Sequence, residues 1–276
     1  MRPLKQGIAS ALLFMLLSCN NENTEKQSSS ENKAAALKEE NTSFNADSLT
    51  MNAYVVYKDS TETKKPGIIV VPEWWGLNDY AKNRAKQLAD LDYVAMAVDV
   101  YGNGQTAANP DEAMKLAGPF YSDPNMARQR MDAAIAKIKT LPNVDTSQLA
   151  AIGYCFGGSF VLNAAKLGSD LDGVVSFHGG LAGPAPDKSK LKAQILVCHG
   201  IADSFVPDAD SLAFRNGLDS VGAVYNFKSY PDAKHAFTNP DADAYAKKFG
   251  MDIGYNQAAD KASWEDMKVF FQRIFH

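Results

Sequence analysis

The chain has 276 residues, with 28 Lys and Arg against 32 Asp and Glu, a formal charge of -4 and 46% hydrophobic side chains. That balance, with no cluster of cations beyond a short N-terminal pair, leaves no electrostatic footprint for nucleic acid. Three cysteines are too few for a disulfide framework, and the length suffices for one sizeable domain with a full core.

Met1, Arg2 and Lys5 precede an apolar run from Ile8 to Leu17 that ends at Ser18 and Cys19. A charged start followed by a short apolar stretch is the layout of a signal peptide, and the run is well below the roughly 20 apolar residues of a spanning helix. Leu16-Leu17-Ser18-Cys19 resembles the bacterial lipobox. That resemblance implies removal of residues 1–18, a lipid on Cys19, and a lipid-anchored address in the cell envelope, periplasmic or surface-facing. Residues 19–45 are mostly Asn, Glu, Lys, Ser and Thr, too poor in apolar surface to offset the entropy of ordering, and predict a disordered tether. A single domain over 46–276 follows.

Strands are predicted at Tyr54–Tyr57, Gly67–Pro72, Tyr93–Val100, Leu149–Tyr154, Gly173–Phe177, Gln194–His199 and Val224–Tyr230. Runs such as GIIVV and QILVC are apolar throughout, as in strands covered on both faces. Between them, Asn78 caps the helical stretch DYAKNRAKQLADL, Asp123-Pro124 opens NMARQRMDAAIAKIKT, and Asp208 caps ADSLAFRNGLDSV; a last helix spans Gln257–Phe275. Strand and helix in alternation predict an α/β fold with a mostly parallel central sheet and helices on both faces. In such sheets chemistry gathers just beyond the carboxyl ends of the strands.

Gly153-Tyr154-Cys155-Phe156-Gly157 has the G-x-C-x-G form of a nucleophile elbow, with cysteine where serine is usual. A helix starting near Phe156 directs its positive end at the turn and favours negative charge on the sulfur. Downstream come Asp203, a few residues after QILVCHG, and His235, after VYNFKSYPDAK. Nucleophile, acid and histidine in that order match the chain order of an α/β-hydrolase triad. Among the four histidines His178, in FHGG, is the second candidate for base or substrate contact. No metal or cofactor is required by this chemistry.

The segments PEWWGL, GYCFGG, CHGIADSFVP and KHAFTNP together resemble the dienelactone hydrolase family of α/β-hydrolases, from about Val55 to the C-terminus. The resemblance implies Cys155 as nucleophile, His235 as general base and acid, Asp203 as the group orienting the imidazole, and Glu73 in activation of the resting thiol. It also implies an oxyanion hole from the amides of Phe156 and Trp74. A carboxylate beside a thiolate is unfavourable, so Glu73 is expected to act in gating or proton exchange. Members that cleave dienelactone hold its carboxylate with an arginine shortly after a D-x-Y strand end and a serine after the catalytic histidine. Here those places read Gly102-Asn103-Gly104 and Ala236. The expected substrate is therefore a small ester or lactone, uncharged or with its charge differently placed, in a pocket to which Trp75, Tyr101 and His178 contribute. The competing readings are a non-catalytic, lipid-anchored binding protein on the same fold, and a redox protein using Cys155 and Cys198. The intact Glu73, Cys155, Asp203, His235 order argues against the first, and the lack of a C-x-x-C pair against the second.

Overall fold

The computed structural model describes residues 36–59 and 63–275; the expected signal peptide, Cys19 and the tether up to residue 35 lie outside them. In chain order the strands are β1 (Leu37–Ala46), β2 (Leu49–Lys58), β3 (Lys65–Val71), β4 (Val94–Val98), β5 (Val144–Tyr154), β6 (Gly173–Phe177), β7 (Gln194–Gly200) and β8 (Tyr225–Tyr230). The helices are α1 (Asp79–Asp90), α2 (Pro110–Ser122), α3 (Asn125–Ile138), α4 (Phe156–Lys166), α5 (Asp208–Val221), α6 (Ala242–Phe249) and α7 (Gln257–Ile274). One sheet runs β1-β2-β4-β3-β5-β6-β7-β8. Pairs β1/β2 and β2/β4 are antiparallel, and every other pair is parallel. This is the expected α/β-hydrolase architecture.

The apolar strand runs serve two cores. Along β3, Ile69 and Val71 join Phe120, Met131, Phe160 and Leu218 on the face of α2 to α5, while Ile68 and Val70 join Leu88, Met267 and Phe271 on the face of α1 and α7. Successive side chains point to opposite faces, so a strand between two helix layers must be apolar at every position. Each full burial of a branched side chain contributes about 1.5–3 kcal/mol. The chain leaves β3 for β4 on one side and returns to β5 on the other, so the loops after β3 and β5 open into one crevice. Val71 lies opposite Gly153 in the register.

The tether expected through residue 45 is corrected: residues 37–46 form β1, paired along its whole length with β2. Its polar residues face solvent at the sheet edge, so it lacks the apolar run of an inner strand. Helices α2 and α6 are also additions to the sequence reading. In α2 the Asn109 side chain accepts from the Glu112 amide at 3.0 Å and the Glu112 carboxylate from the Ala108 amide at 2.9 Å, a reciprocal cap that starts a helix despite Gly118-Pro119 inside it. Asn78 caps α1 as expected, accepting from Ala81 N. Asp208 does not cap α5, because Pro207 takes the cap position and Asp208 is its first helical residue.

Candidate active site

Cys155 sits between β5 and α4 with φ 53° and ψ -117°, a conformation costly for a residue with a side chain. Close packing accounts for it. A Cβ at Gly153 would collide with the Gly157 carbonyl, and one at Gly157 with the carbonyls of Val71 and Pro72. The Cys155 amide donates to the Phe177 carbonyl and to His178 Nδ1, both at 3.0 Å. Its carbonyl accepts from the amides of Gly158 and Ser159.

Loops from β7 and β8 bring the other two residues to this turn. His235 Nδ1 lies 2.9 Å from Asp203 Oδ2, and Asp203 Oδ1 accepts from the Phe205 amide at 2.9 Å. Both residues are buried. Burial disfavours the His235 imidazolium, but its electrostatic interaction with Cys155 and hydrogen bonds to Asp203 and Cys155 outweigh it, holding the group well above the ordinary histidine range.

Glu73 follows β3 and is 2% exposed. Its Oε2 accepts from Asn239 Nδ2 at 2.7 Å, while Oε1 has no partner among the described residues. Burial pushes its carboxyl up to about 7, against the opposing Asn239 hydrogen bond. The next residue, Trp74, lies in a turn closed by Gly76 N on Glu73 O, and its amide has no acceptor among the described residues. Phe156 opens α4, so its amide has no acceptor within its own helix. Tyr101 donates its hydroxyl to the Trp74 carbonyl at 3.0 Å and stacks on Phe156 at 5.5 Å between ring centroids. It therefore braces both Trp74 and Phe156.

The cavity over Cys155 measures about 310 Å³ and is lined by Glu73, Trp74, Trp75, Phe156 and His235, together with Phe205, Tyr245 and Met251. Among the described residues, no lysine or arginine lines it. Trp75 reaches it as expected, stacked on Tyr245 at 4.9 Å and Phe249 at 5.7 Å, so the sequence-silent α6 fixes the wall.

Tyr101 and His178 do not line the cavity, which corrects the expected pocket. His178 is fully buried behind the elbow. Burial, reinforced by the charges of His235 and Arg84, drives it well below the ordinary histidine range, so the ring is neutral. Because Nδ1 accepts from the Cys155 amide, Nε2 carries the proton and donates to Thr238 Oγ1 at 2.6 Å. Thr238 Oγ1 also bonds the Tyr80 hydroxyl at 2.7 Å, and its carbonyl accepts from Arg84 at 2.5 Å. Sequence reasoning missed Thr238 and Asn239, although both stand in the quoted KHAFTNP segment; an offset of three or four residues from a loop histidine predicts no contact. Cys155 and Cys198 are both free thiols. Cys198 lies within β7, and burial pushes it up to about 12.

A model of the dienelactone hydrolase family matches residues 51–275. A protein of Synechocystis named provisionally as a carboxymethylenebutenolidase is 27% identical over 223 residues, 75% of this chain and 85% of that one. One of the same provisional name from Methylorubrum extorquens is 29% identical over 184 residues, 62% of this chain and 63% of its own length. A crystal structure of P91, a dienelactone hydrolase-like promiscuous phosphotriesterase from metagenomic libraries, is 31% identical with a TM-score of 0.83, covering 88% of this chain and 100% of that one.

Proposed function

The chain belongs to the dienelactone hydrolase family and is a hydrolase, and from that premise we propose that it cleaves a small uncharged carboxylic ester or lactone through an acyl-enzyme on Cys155. The observation that carries this reading is the Asp203–His235 hydrogen bond of 2.9 Å beside a cysteine held at a strained strand-to-helix turn. Asp203 fixes the imidazole with Nδ1 protonated, leaving Nε2 to exchange a proton with the sulfur. The thiol proton passes to His235, the thiolate attacks the carbonyl carbon, and the C=O electron pair moves onto oxygen. The Phe156 and Trp74 amides are directed to that oxyanion. On collapse the C–O bond to the leaving group breaks and the alkoxide takes the proton from His235. In a lactone it stays tethered through the acyl chain. Water, deprotonated by His235, then attacks the thioester, and the carboxylic acid departs as the thiol reforms.

The preference for an uncharged substrate rests on the cavity wall, which offers aromatic surface and, among the described residues, no lysine or arginine, while His235 is already paired with Asp203. A carboxylate carried into it would lose hydration without gaining a counter-ion. Where the sequence lacks the expected arginine, Asp99 instead takes the amides of Tyr101, Gly102 and Gly104 and rigidifies that loop. Glu73, with one oxygen unpartnered at the cavity, supports a role in proton exchange with Cys155 while the site is at rest. We extend the proposal to the cell envelope, where the lipobox-like segment ending at Cys19 supports a lipid anchor.

The test is a short-chain p-nitrophenyl ester followed by stopped-flow absorbance and intact mass. A burst matched to an acyl adduct mapped to Cys155, and absent in Cys155→Ala, is the expected result. Hydrolysis undiminished in Cys155→Ala overturns the mechanism. An aryl dialkyl phosphotriester is a useful second probe, since it too is uncharged and P91 carries that activity in its name. Membrane fractionation of cells expressing the full chain and its Cys19→Ala variant checks the anchor: the variant is expected in the soluble fraction.

A further inference from the structure

A second cavity, of about 250 Å³, lies at the far end of α4 from the elbow. Its walls are apolar, with Leu181, Pro184, Pro186, Phe214 and Leu218, and it opens to solvent beside the exposed Ala182, Gly183 and Ala185. One charged group is sunk into it: Lys166, only 3% exposed. Lys166 has no ion pair and no hydrogen bond to any described residue, and its Nζ stands over the Phe214 ring, 5.4 Å from the centroid. The neighbouring Asn163 Oδ1 is also buried and unpartnered. Both side chains converge on Gly183, where an added Cβ would strike Asn163 Oδ1 and stand 3.2 Å from Lys166 Nζ. Asp210 also lines the cavity, but not within ion-pair distance of Lys166.

Buried cations in proteins are paired, because an uncompensated charge loses hydration and gains nothing. The Lys166 side chain is almost wholly buried, its amine over an aromatic ring and facing a space large enough for several heavy atoms. We propose that this cavity is a binding site for a short-chain aliphatic monocarboxylate, its carboxylate on Lys166 and its tail against Leu181, Phe214 and Leu218. Burial alone lowers the amine to about 8, so it still carries charge at neutral pH while lacking a counter-ion. The aliphatic walls select a carboxylate with a hydrocarbon tail over a small inorganic anion, which would leave them wetted.

The site is separate from the active-site cavity but linked to it. Cys155, Ser159, Asn163 and Lys166 follow one face of α4, and Gly180 lines the first cavity where Leu181 lines the second. Acids of this class are what ester cleavage releases, but the binding claim does not rest on that reaction.

The experiment is a titration of the full soluble domain with butyrate at constant ionic strength, read by amide chemical shifts. Saturable shifts at Leu181, Gly183 and Gly217 are expected with a millimolar or tighter dissociation constant, weakened at least tenfold in Lys166→Met. Ala213→Trp, at the exposed rim, is expected to block binding by filling the cavity, and keeps the test decisive if Lys166→Met does not fold. Sulfate at the same concentration is expected to give no saturable shift. Absence of saturation with butyrate, binding unchanged in the folded variants, or sulfate binding as tightly as butyrate overturns the proposal.

Discussion

Two side chains at the site have opposite tasks set by their surroundings. Glu73 ionises in the unfolded chain near 4.5 and in the folded protein near 7. Between those values the folded state keeps a proton that the unfolded chain has released, so this group's contribution to stability falls as pH rises from about 4.5 to 7, by on the order of 3 kcal/mol. Glu73→Gln removes that fall. Denaturant midpoints at about pH 5 and about pH 8 are expected to differ less in the variant than in the parent, and an inflection of kcat/KM near pH 7, expected in the parent from Glu73, is expected to be absent from it. His178 stays neutral and acts through the backbone. His178→Phe removes one of two acceptors for the Cys155 amide, so kcat is expected to drop about tenfold to a hundredfold with KM and the pH profile little changed. A total loss of acylation, equal to that of His235→Ala, would instead make His178 the base.

At the scale of elements, the close approach of α4 to β3 decides whether the proposed oxyanion donors, the amides of Phe156 and Trp74, lie side by side. Gly157→Ala places a Cβ against the Val71 and Pro72 carbonyls, and α4 must shift from β3. Ester hydrolysis is expected to fall at least a hundredfold in a protein that keeps its circular dichroism spectrum and loses about 1–3 kcal/mol in urea unfolding. The elements legible in the sequence were those with a strong local signal. β3, β6 and β7 are apolar at nearly every position, α1 has its Asn78 cap, and the elbow has its glycines. β1 was hidden because an edge strand with solvent on its polar positions reads like a tether, α2 because Gly118-Pro119 looks like a helix end, and α6 because eight residues carry too little periodicity. The site was legible to the same degree. Cys155, Asp203 and His235 stand at strand ends in a recognisable order, whereas Tyr101 and His178 turned out to brace the backbone, since an aromatic residue near a strand end gives no sign of which way it points.

For the molecule as a whole, β1 closes one margin of the sheet over β2. A chain beginning at residue 47 would bare the β2 edge, with unpaired amides and carbonyls open to another copy. Size-exclusion chromatography with light scattering is expected to show association for that chain and a single smaller species for one beginning at residue 36. The loop after β8 ties the site together. Within five residues, His235 meets Asp203, Thr238 holds the ring that steadies Cys155, and Asn239 holds Glu73. Three jobs on one short peptide share a single spacing. A residue inserted or deleted between His235 and Asn239 would disengage at least one of them from the other two. A change in the length of this loop would therefore oblige the protein to rebuild the support of Cys155 and the setting of its acidic neighbour together.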